Sequence, residues 1–394
     1  MTTNTSFDIT QPLPQGTVLL AASAGTGKTW TISAVCAKAI ATGLVHMENL
    51  LLVTFNRSAA RELRGRVYER LVNTRLLLAG AREPSDPCDW SLIRCGQAGL
   101  TRVESALDNF DRAVITTTHE FASRMLVELG VLSDHDPSSV LMTDLAPLAT
   151  EVSDDHYLAQ YLDCDRPPSV RDKRELSRDV AVKYGEVPIF SKDDADTPVQ
   201  DVLWALSVRE DVRRRSKSRS VHTFDDLIGD LVKALRDPYR GPLACATLAH
   251  RFGLVMVDEF QDTDPLQWEI LRRAFHGHSN LWLIGDPKQS IYAFRGADIH
   301  AYQDAAQSAS HVLHLDVNYR TDKPIVEAVN TLFSNAQLGH DISMELVTAH
   351  HQESRIKTAA TDGPRYHWSQ PFQIRCLQAP AGAQLNTATS DQFV

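Results

Sequence analysis

The sequence predicts an α/β protein built around a parallel sheet. Three observations carry that expectation. Apolar runs of strand length alternate with helically spaced stretches from residue 16 to about 130. The same alternation returns after residue 223, with the buried run LVMVD at 254–258 as its clearest strand. Between the two lies a stretch of different composition, rich in Asp, Ser and Pro. Strands alternating with helices imply parallel pairing with helices on both faces.

The elements follow in order. TVLLAAS at 17–23 reads as a strand, and 28–42 as a helix behind it. LLLVTF at 50–55 is the next strand, and 57–79 a long helix. AVITTT at 113–118 and a helix over 119–130 complete the first half. Residues 131–220 predict an inserted, mainly helical subdomain, ending in the basic run RRRSKSRS at 213–220. Then come a helical stretch at 223–236, LVMVD, the run LWLIGD at 281–286 and HVLHLDVNYR at 311–320. After about residue 358 the chain turns Ala/Thr/Gln-rich.

Bulk properties bound the class. A chain of 394 residues suggests two or three domains. Hydrophobic content of 43% and charged content of 23% fit a globular protein with a sizeable core. No window approaches the roughly 18 apolar residues of a membrane span, and MTTNTSFDITQPLPQG lacks the basic start and apolar centre of a secretory signal. Six scattered cysteines form no CxxC pair, so no zinc or iron–sulfur site is legible and a reduced, cytoplasmic chain is expected. A net charge of −10 argues against a protein coated in basic charge but leaves room for a local nucleic-acid groove.

The stretch AASAGTGKTW at 21–30 carries the first chemistry. It joins a strand to a helix, where unpaired backbone N–H groups and the helix dipole favour an anion. Gly25 and Gly27 let the backbone curl around a phosphate, so that Ala22, Ser23, Ala24, Gly25, Thr26 and Gly27 form the cradle. Lys28 would reach the β and γ phosphates, and the Thr29 hydroxyl would ligate Mg²⁺. Ala22 stands where the strict pattern has Gly. The competing account is a plain strand-to-helix turn with a surface lysine. LVMVDEFQD at 254–262 supplies the acidic partner. Asp258 would hold Mg²⁺ through water, and Glu259 would polarise a water for attack on the γ phosphate. Here the competing account is an ordinary strand end with two solvated acids.

DEFQDTDPLQWEIL (258–271), GDPKQSIYAFRGAD (285–298), TFNRSAARELRGRV (54–67) and NYR (318–320) occur in this order with TFNRSAARELRGRV first. Together they resemble the UvrD-like branch of superfamily 1 DNA helicases, and ASAGTGKTWTI and FDDL (224–227) bring the chain nearest to RecB-like members. The resemblance covers most of residues 16–350. It implies a RecA-like P-loop NTPase sheet with an inserted helical subdomain and an incomplete second motor lobe. It also implies ATP and Mg²⁺ as cofactors. By the same resemblance, Gln289 senses the γ phosphate, Arg320 contacts it to stabilise transition-state charge, and Tyr319 stacks on adenine. The Gln that often reads adenine ahead of the phosphate loop corresponds here to the divergent QPLPQG at 11–16.

On the DNA side the resemblance assigns base stacking to Phe55, Tyr292 and Phe294, and backbone or base contacts to Asn56, Arg57, Thr118, His119 and Arg295. Stacking tolerates any sequence and contributes about 1–3 kcal/mol per base. Core packing competes with this account for Phe55 and Phe294, a surface turn for Tyr292 and Arg295, and a satisfied polar side chain for His119. Arg61, Arg64, Arg66 and Arg70 read as a solvated, salt-bridged helix face, and RRRSKSRS as a flexible solvated linker.

The expected organisation is a first motor lobe in two parts, 1–130 and 221–318, an inserted accessory subdomain at 131–220, and a truncated start of the second lobe at 319–394. The later boxes of a second lobe and a nuclease domain are not found in this sequence. The resemblance implies ATP-driven 3′→5′ translocation on single-stranded DNA in double-strand-break repair and recombination. Expected partners are single-stranded DNA, duplex ends and RecC-like and RecD-like subunits, with no membrane. Two alternatives stay open: a non-catalytic ATP- or DNA-binding remnant or interaction module, and a stand-alone repair helicase of UvrD type.

Overall fold

A computed structural model describes residues 5–133, 135–136, 139–142, 144–181, 199–290, 298–334, 336–338, 342 and 344–355. The strands are β1 (Thr5–Ser6), β2 (Thr17–Ala22), β3 (Leu50–Thr54), β4 (Val114–Thr117), β5 (Val140–Leu141), β6 (Val221–His222), β7 (Leu254–Val257), β8 (Asn280–Gly285), β9 (His311–Leu315), β10 (Val317–Asn318) and β11 (Thr348–Ala349). The α-helices are α1 (Lys28–Thr42), α2 (Arg57–Leu78), α3 (Pro87–Leu92), α4 (Gly96–Asp108), α5 (Thr118–Leu129), α6 (Ala146–Tyr161), α7 (Val170–Leu176), α8 (Val199–Ser218), α9 (Phe224–Arg236), α10 (Gly241–Arg251), α11 (Pro265–Phe275), α12 (Ile299–Ser308) and α13 (Lys323–Leu332).

Seven strands form one sheet in the order β1-β9-β2-β8-β7-β3-β4. The pairs β1/β9, β2/β8, β8/β7, β7/β3 and β3/β4 are parallel. The central strands are apolar and buried along almost their whole length: LLLVT in β3 and LVMV in β7 have no exposed residue. Such continuous apolar runs are what a parallel sheet covered on both faces requires. One large core gathers Val255, Val257, Leu281 and Leu283 from the sheet with Phe121, Leu231, Phe252, Ile270 and Phe275 from helices α5, α9 and α11 and the turn before β7. The helices start where their sequences say they should. Asn56 accepts a hydrogen bond from Ala59 N to cap α2, and Thr223 and Asp226 form a reciprocal capping box on α9.

The chain falls into two compact units, residues 1–21 with 28–314 and residues 22–27 with 315–394. Within the first, residues between 145 and 212 build a small core of their own. Leu148, Ala149 and Val152 of α6 meet Trp204, Ala205, Val208 and Val212 of α8. β5 and β6, at either end of this helical layer, pair in parallel. The second unit contains α13 and the two-stranded pair β10/β11. HVLHLDVNYR is therefore two strands rather than one. β9 stops at Leu315, and the carbonyl of Asp316 accepts from Thr348 N at 2.7 Å, which starts the separate pairing of β10.

Two charge readings are corrected. RRRSKSRS is no linker: residues 213–218 form the last turns of α8, and Arg215 and Arg219 pair with Glu151 and Asp155 of α6. Arg70 does not lie on a solvated face. It is buried, and it binds both Asp86 and Asp89, at 2.5 and 3.2 Å.

Candidate nucleotide site and nucleic-acid cleft

Lys28 opens α1 at the carboxyl end of β2, and Asp258 and Glu259 follow the carboxyl end of β7. The parallel sheet brings these ends to one edge, so residues 231 apart in sequence meet. Lys28 Nζ lies 2.5 Å from Glu259 Oε2. Glu259 is fixed from a second side by Gln261, whose Nε2 donates to the same oxygen at 2.8 Å. Gln261 is itself buried, and its Oε1 accepts from Asp286 N at 2.9 Å. Gly285 makes that arrangement possible: a Cβ there would stand 2.6 Å from Gln261 Oε1.

Backbone strain accompanies this contact. Glu259 has φ +54° and ψ +43°, left-handed values that cost a non-glycine residue roughly 1–2 kcal/mol. The conformation turns the chain sharply after Asp258, and Glu259 N donates to Asp258 Oδ1 at 3.0 Å. Negative charge is in surplus. Asp258, Glu259 and Asp262 crowd one lysine. Burial pushes Asp258 up to about 6, with Lys28 pulling it down and Glu259 pushing it further up. Asp262 is likewise raised to about 6 by burial and Glu259, and its buried Oδ1 has no hydrogen-bond partner among the described residues. A divalent cation would neutralise such a surplus, and Asp258 and the Thr29 hydroxyl are oxygen donors that could hold one of the oxygen-seeking kind.

Gln289 lies in the turn after β8, where its Nε2 donates to Asp286 Oδ2 at 2.8 Å. Lys288 Nζ takes the other carboxylate oxygen at 2.8 Å.

In the second unit, the loop 22–27 packs with residues 318–320. Gly25 (φ +83°) and Gly27 (φ +88°) both take conformations reserved for glycine. A Cβ on Gly25 would meet Arg320 Cβ at 2.8 Å and Asn318 Oδ1 at 2.9 Å. The loop is held by its carbonyls: Gly25 O accepts from Tyr319 N at 2.8 Å, and Ala24 O from Asn318 Nδ2 at 3.1 Å. The Thr26 hydroxyl donates to Ser23 O at 2.7 Å. Tyr319 remains half exposed with its ring 4.8 Å from that of His350. Arg320 is anchored through its carbonyl, which accepts from Arg355 Nη2 at 2.6 Å.

The first-unit residues expected to contact DNA gather as well. Phe55, Asn56, Arg57 and His119 line one open cleft of about 680 Å³ together with Phe224 and Asp225. Thr118 begins α5 beside it. Phe55 is half buried rather than core. Asn56 spends its side-chain oxygen on the α2 cap, and Arg57 lies 3.3 Å from Glu120. His119 packs edge-on against Phe224, with ring centroids 5.7 Å apart. Burial raises the Asp225 carboxyl above its usual range, while His119 draws it down. Tyr292, Phe294 and Arg295 lie outside the described residues.

The family described as the UvrD/REP helicase N-terminal domain matches residues 3–310. The chain belongs to this family. It is 38% identical over 385 residues to a protein named RecBCD enzyme subunit RecB from Mycobacterium tuberculosis (strain H37Rv), covering 94% of this chain and 34% of that one. The protein of the same name from Escherichia coli K12 is 46% identical over 129 residues, covering 32% of this chain and 11% of that one. ATP-dependent DNA helicase UvrD1 of Mycobacterium bovis is 27% identical over 326 residues, covering 80% of this chain and 37% of that one. The chain thus spans about a third of the length of the full-coverage relatives it matches.

Within this UvrD/REP-type unit, sequence reasoning missed Gln261, Asp286 and Gly285. Gln261 belongs to the DEFQD stretch and Gly285 and Asp286 to GDPKQ, so the signal was in motifs already singled out. What no linear motif reveals is that the two are joined through one buried amide. Among the described residues no helix is long and apolar enough to cross a membrane. Cys36, Cys88, Cys95, Cys164 and Cys245 are free thiols, and Cys376 lies outside the described residues.

Proposed function

We propose that this chain is the ATP-binding motor portion of a RecB-type DNA helicase, acting with ATP and Mg²⁺ on single-stranded DNA. The observation that supports it best is the Lys28–Glu259 pair, held by Gln261 against a surplus of carboxylates at the edge of a parallel sheet. A lysine at this place is poised to exchange its acidic partner for terminal phosphate oxygens. Once released, Glu259 is free to accept a proton from an attacking water. Asp258 and Thr29 are the residues that would hold Mg²⁺, which supplies charge neutralisation between the phosphates.

The loop 22–27 contributes the phosphate cradle in this reading. Tyr319 offers an adenine-stacking face, Arg320 a cation for the transition state, and Gln289 a sensor for the terminal phosphate. Release of Gln289 from Asp286 is the event through which sensing would work. In the cleft, Phe55 stacks bases, and Asn56, Arg57, Thr118 and His119 contact the strand. Tyr292, Phe294 and Arg295 are assigned to the same strand. By analogy with its relatives' names the parent assembly is a RecBCD-type enzyme, with RecC-like and RecD-like partners. Its work would be 3′→5′ unwinding from duplex ends in break repair. Residues 1–130 and 221–318 form the first motor lobe in this proposal, 131–220 an accessory insert with its own core, and 319–394 the start of a second lobe.

Steady-state ATP hydrolysis with and without single-stranded DNA, beside Lys28→Ala, tests the reading. DNA-stimulated turnover that falls at least about 100-fold in the variant is expected if the first lobe supports chemistry. ATP binding without turnover would instead favour a nucleotide-binding module. Absence of binding in both chains would refute the nucleotide site.

A further inference from the structure

Far from the Lys28–Glu259 pair, His135, His222 and Asp230 converge. One ligand atom from each lies within 4.8 Å of the other two. The spacing is informative. His222 Nδ1 stands 3.7 Å from Asp230 Oδ2, too far for a hydrogen bond. Two ligands about 2.0–2.2 Å from a shared tetrahedral ion are separated by roughly 3.3–3.6 Å. The His135 and His222 rings lie 5.1 Å apart at 42°, so they do not stack as a packed pair. His135 Nδ1 is buried and has no hydrogen-bond partner among the described residues. A buried imidazole nitrogen left in this state calls for an occupant, a bound ion or an ordered water.

We infer that His135, His222 and Asp230 form a binding site for a borderline-soft divalent cation of the zinc class. Two imidazoles and one carboxylate suit Zn²⁺, Co²⁺ or Ni²⁺ and are a poor set for Mg²⁺ or Ca²⁺, which take oxygen ligands. The surroundings fit. Asp230 keeps Oδ2 toward His222 while Oδ1 accepts from Lys233 Nζ at 3.1 Å, an outer contact that orients a ligating carboxylate. His222 and Asp230 also line an open cleft of about 330 Å³, which gives an ion and a fourth, water ligand a way in.

The location suggests what the ion does. His135 precedes β5, His222 lies in β6, and Asp230 is on α9. β5 and β6 are the short strands through which the chain enters and leaves the helical layer of residues 145–212. An ion held by these three residues would staple both crossings to α9, which packs directly on the main core. Two residues per strand give that junction little stability of its own. The inference is independent of the nucleotide reading.

The test uses the full chain stripped with EDTA and titrated with Co²⁺ in the absence of ATP. Visible d–d absorption with about one ion per chain, displaced by Zn²⁺, is expected, together with a higher melting midpoint. Asp230→Asn and His222→Ala should each lose the bands. Asp258→Asn, which alters only the acidic cluster at the sheet edge, should keep them. Asp230→Asn is nearly isosteric and carries the test should His222→Ala fail to fold. Bands that survive in Asp230→Asn and His222→Ala, bands that vanish in Asp258→Asn, or no bands in the parent chain would each overturn the site.

Discussion

The edge of the sheet around Glu259 and the helical layer around Trp204 solve opposite problems. At the layer, the larger polar side chains that go inside bring their partners, while the small buried hydroxyls of Ser153 and Ser216 have none among the described residues. Trp204 Nε1 donates to the buried Ser177 Oγ at 3.0 Å, Lys173 pairs with Asp201 at 2.6 Å, and His156 meets Asp211 at 2.8 Å. At the edge, Asp258, Glu259 and Asp262 crowd Lys28, the buried Asp262 Oδ1 has no partner among the described residues, and Glu259 sits in left-handed backbone. The layer has a core of its own and pairs most of the charge it takes inside. The edge is held in an unfavourable state by the framework around it, as sites that must bind a charged ligand are.

The sharpest way to test the difference is to remove one side chain from each region. Trp204→Ala empties the centre of the small core and should cost about 3–5 kcal/mol. Loss should concentrate in α6 and α8, read by hydrogen exchange, with the amides of β3 and β7 retaining protection. Uniform loss across both would mean that the layer has no independent stability. Asp258→Asn should act in the opposite direction. A carboxyl raised to about 6 destabilises the folded chain above that pH, and the cost fades as pH falls from about 6 toward the ordinary 3.8. The variant is therefore expected to unfold later than the parent at pH 8, by roughly 1–3 kcal/mol, and to match it near pH 4. A variant that is less stable at pH 8 would show that the carboxylate is not in surplus.

The same contrast explains what could be read from the sequence. Strand positions were legible because buried parallel strands are continuous apolar runs, as in LLLVT and LVMV. Helix starts at Lys28 and Arg57 were legible from the switch between apolar runs and helically spaced stretches, while the Asn56 cap shows only in the structure. The α3 and α4 segments were not, because residues 80–112 mix Gly, Pro and charge with weak periodicity and become helical by packing on α1 and α2. At the site, the identity of the charged residues was legible and their state was not. Nothing local says that Glu259 would be left-handed, or that Gln261 would tie it to Asp286. The burial of Arg70 was hidden for a similar reason: its two acidic partners stand 16 and 19 residues away.

Within the frame, Glu269 gives the counterpart to Asp258. Hydrogen bonds from Arg236 and Arg273 hold its carboxyl down to about 2, joining α9 to α11. Because the folded value lies below the ordinary 4.5, its contribution is complete above that pH and is lost as pH falls from about 4.5 to 2. Glu269→Gln should cost about 1–2 kcal/mol at pH 7 and nothing near pH 2. Asp258→Asn and Glu269→Gln thus predict opposite signs at neutral pH, and two variants of the same sign would erase the distinction between site and frame.

The smallest effect is expected at an exposed cluster of ion pairs. Glu151 receives hydrogen bonds from both Arg215 and Arg219 on the outer face of the layer, and these hold its carboxyl below the usual range. The group is solvent-exposed, so water and salt screen the attraction, and the long arginine side chains lose rotamer freedom to make it. Glu151→Gln should leave the melting midpoint unchanged at 150 mM salt or above, on the principle that exposed pairs contribute little. A clear drop there, comparable to that of Glu269→Gln, would mean that the α6–α8 charge network acts as a cooperative unit and that surface charge, as well as the Trp204 core, holds the layer together.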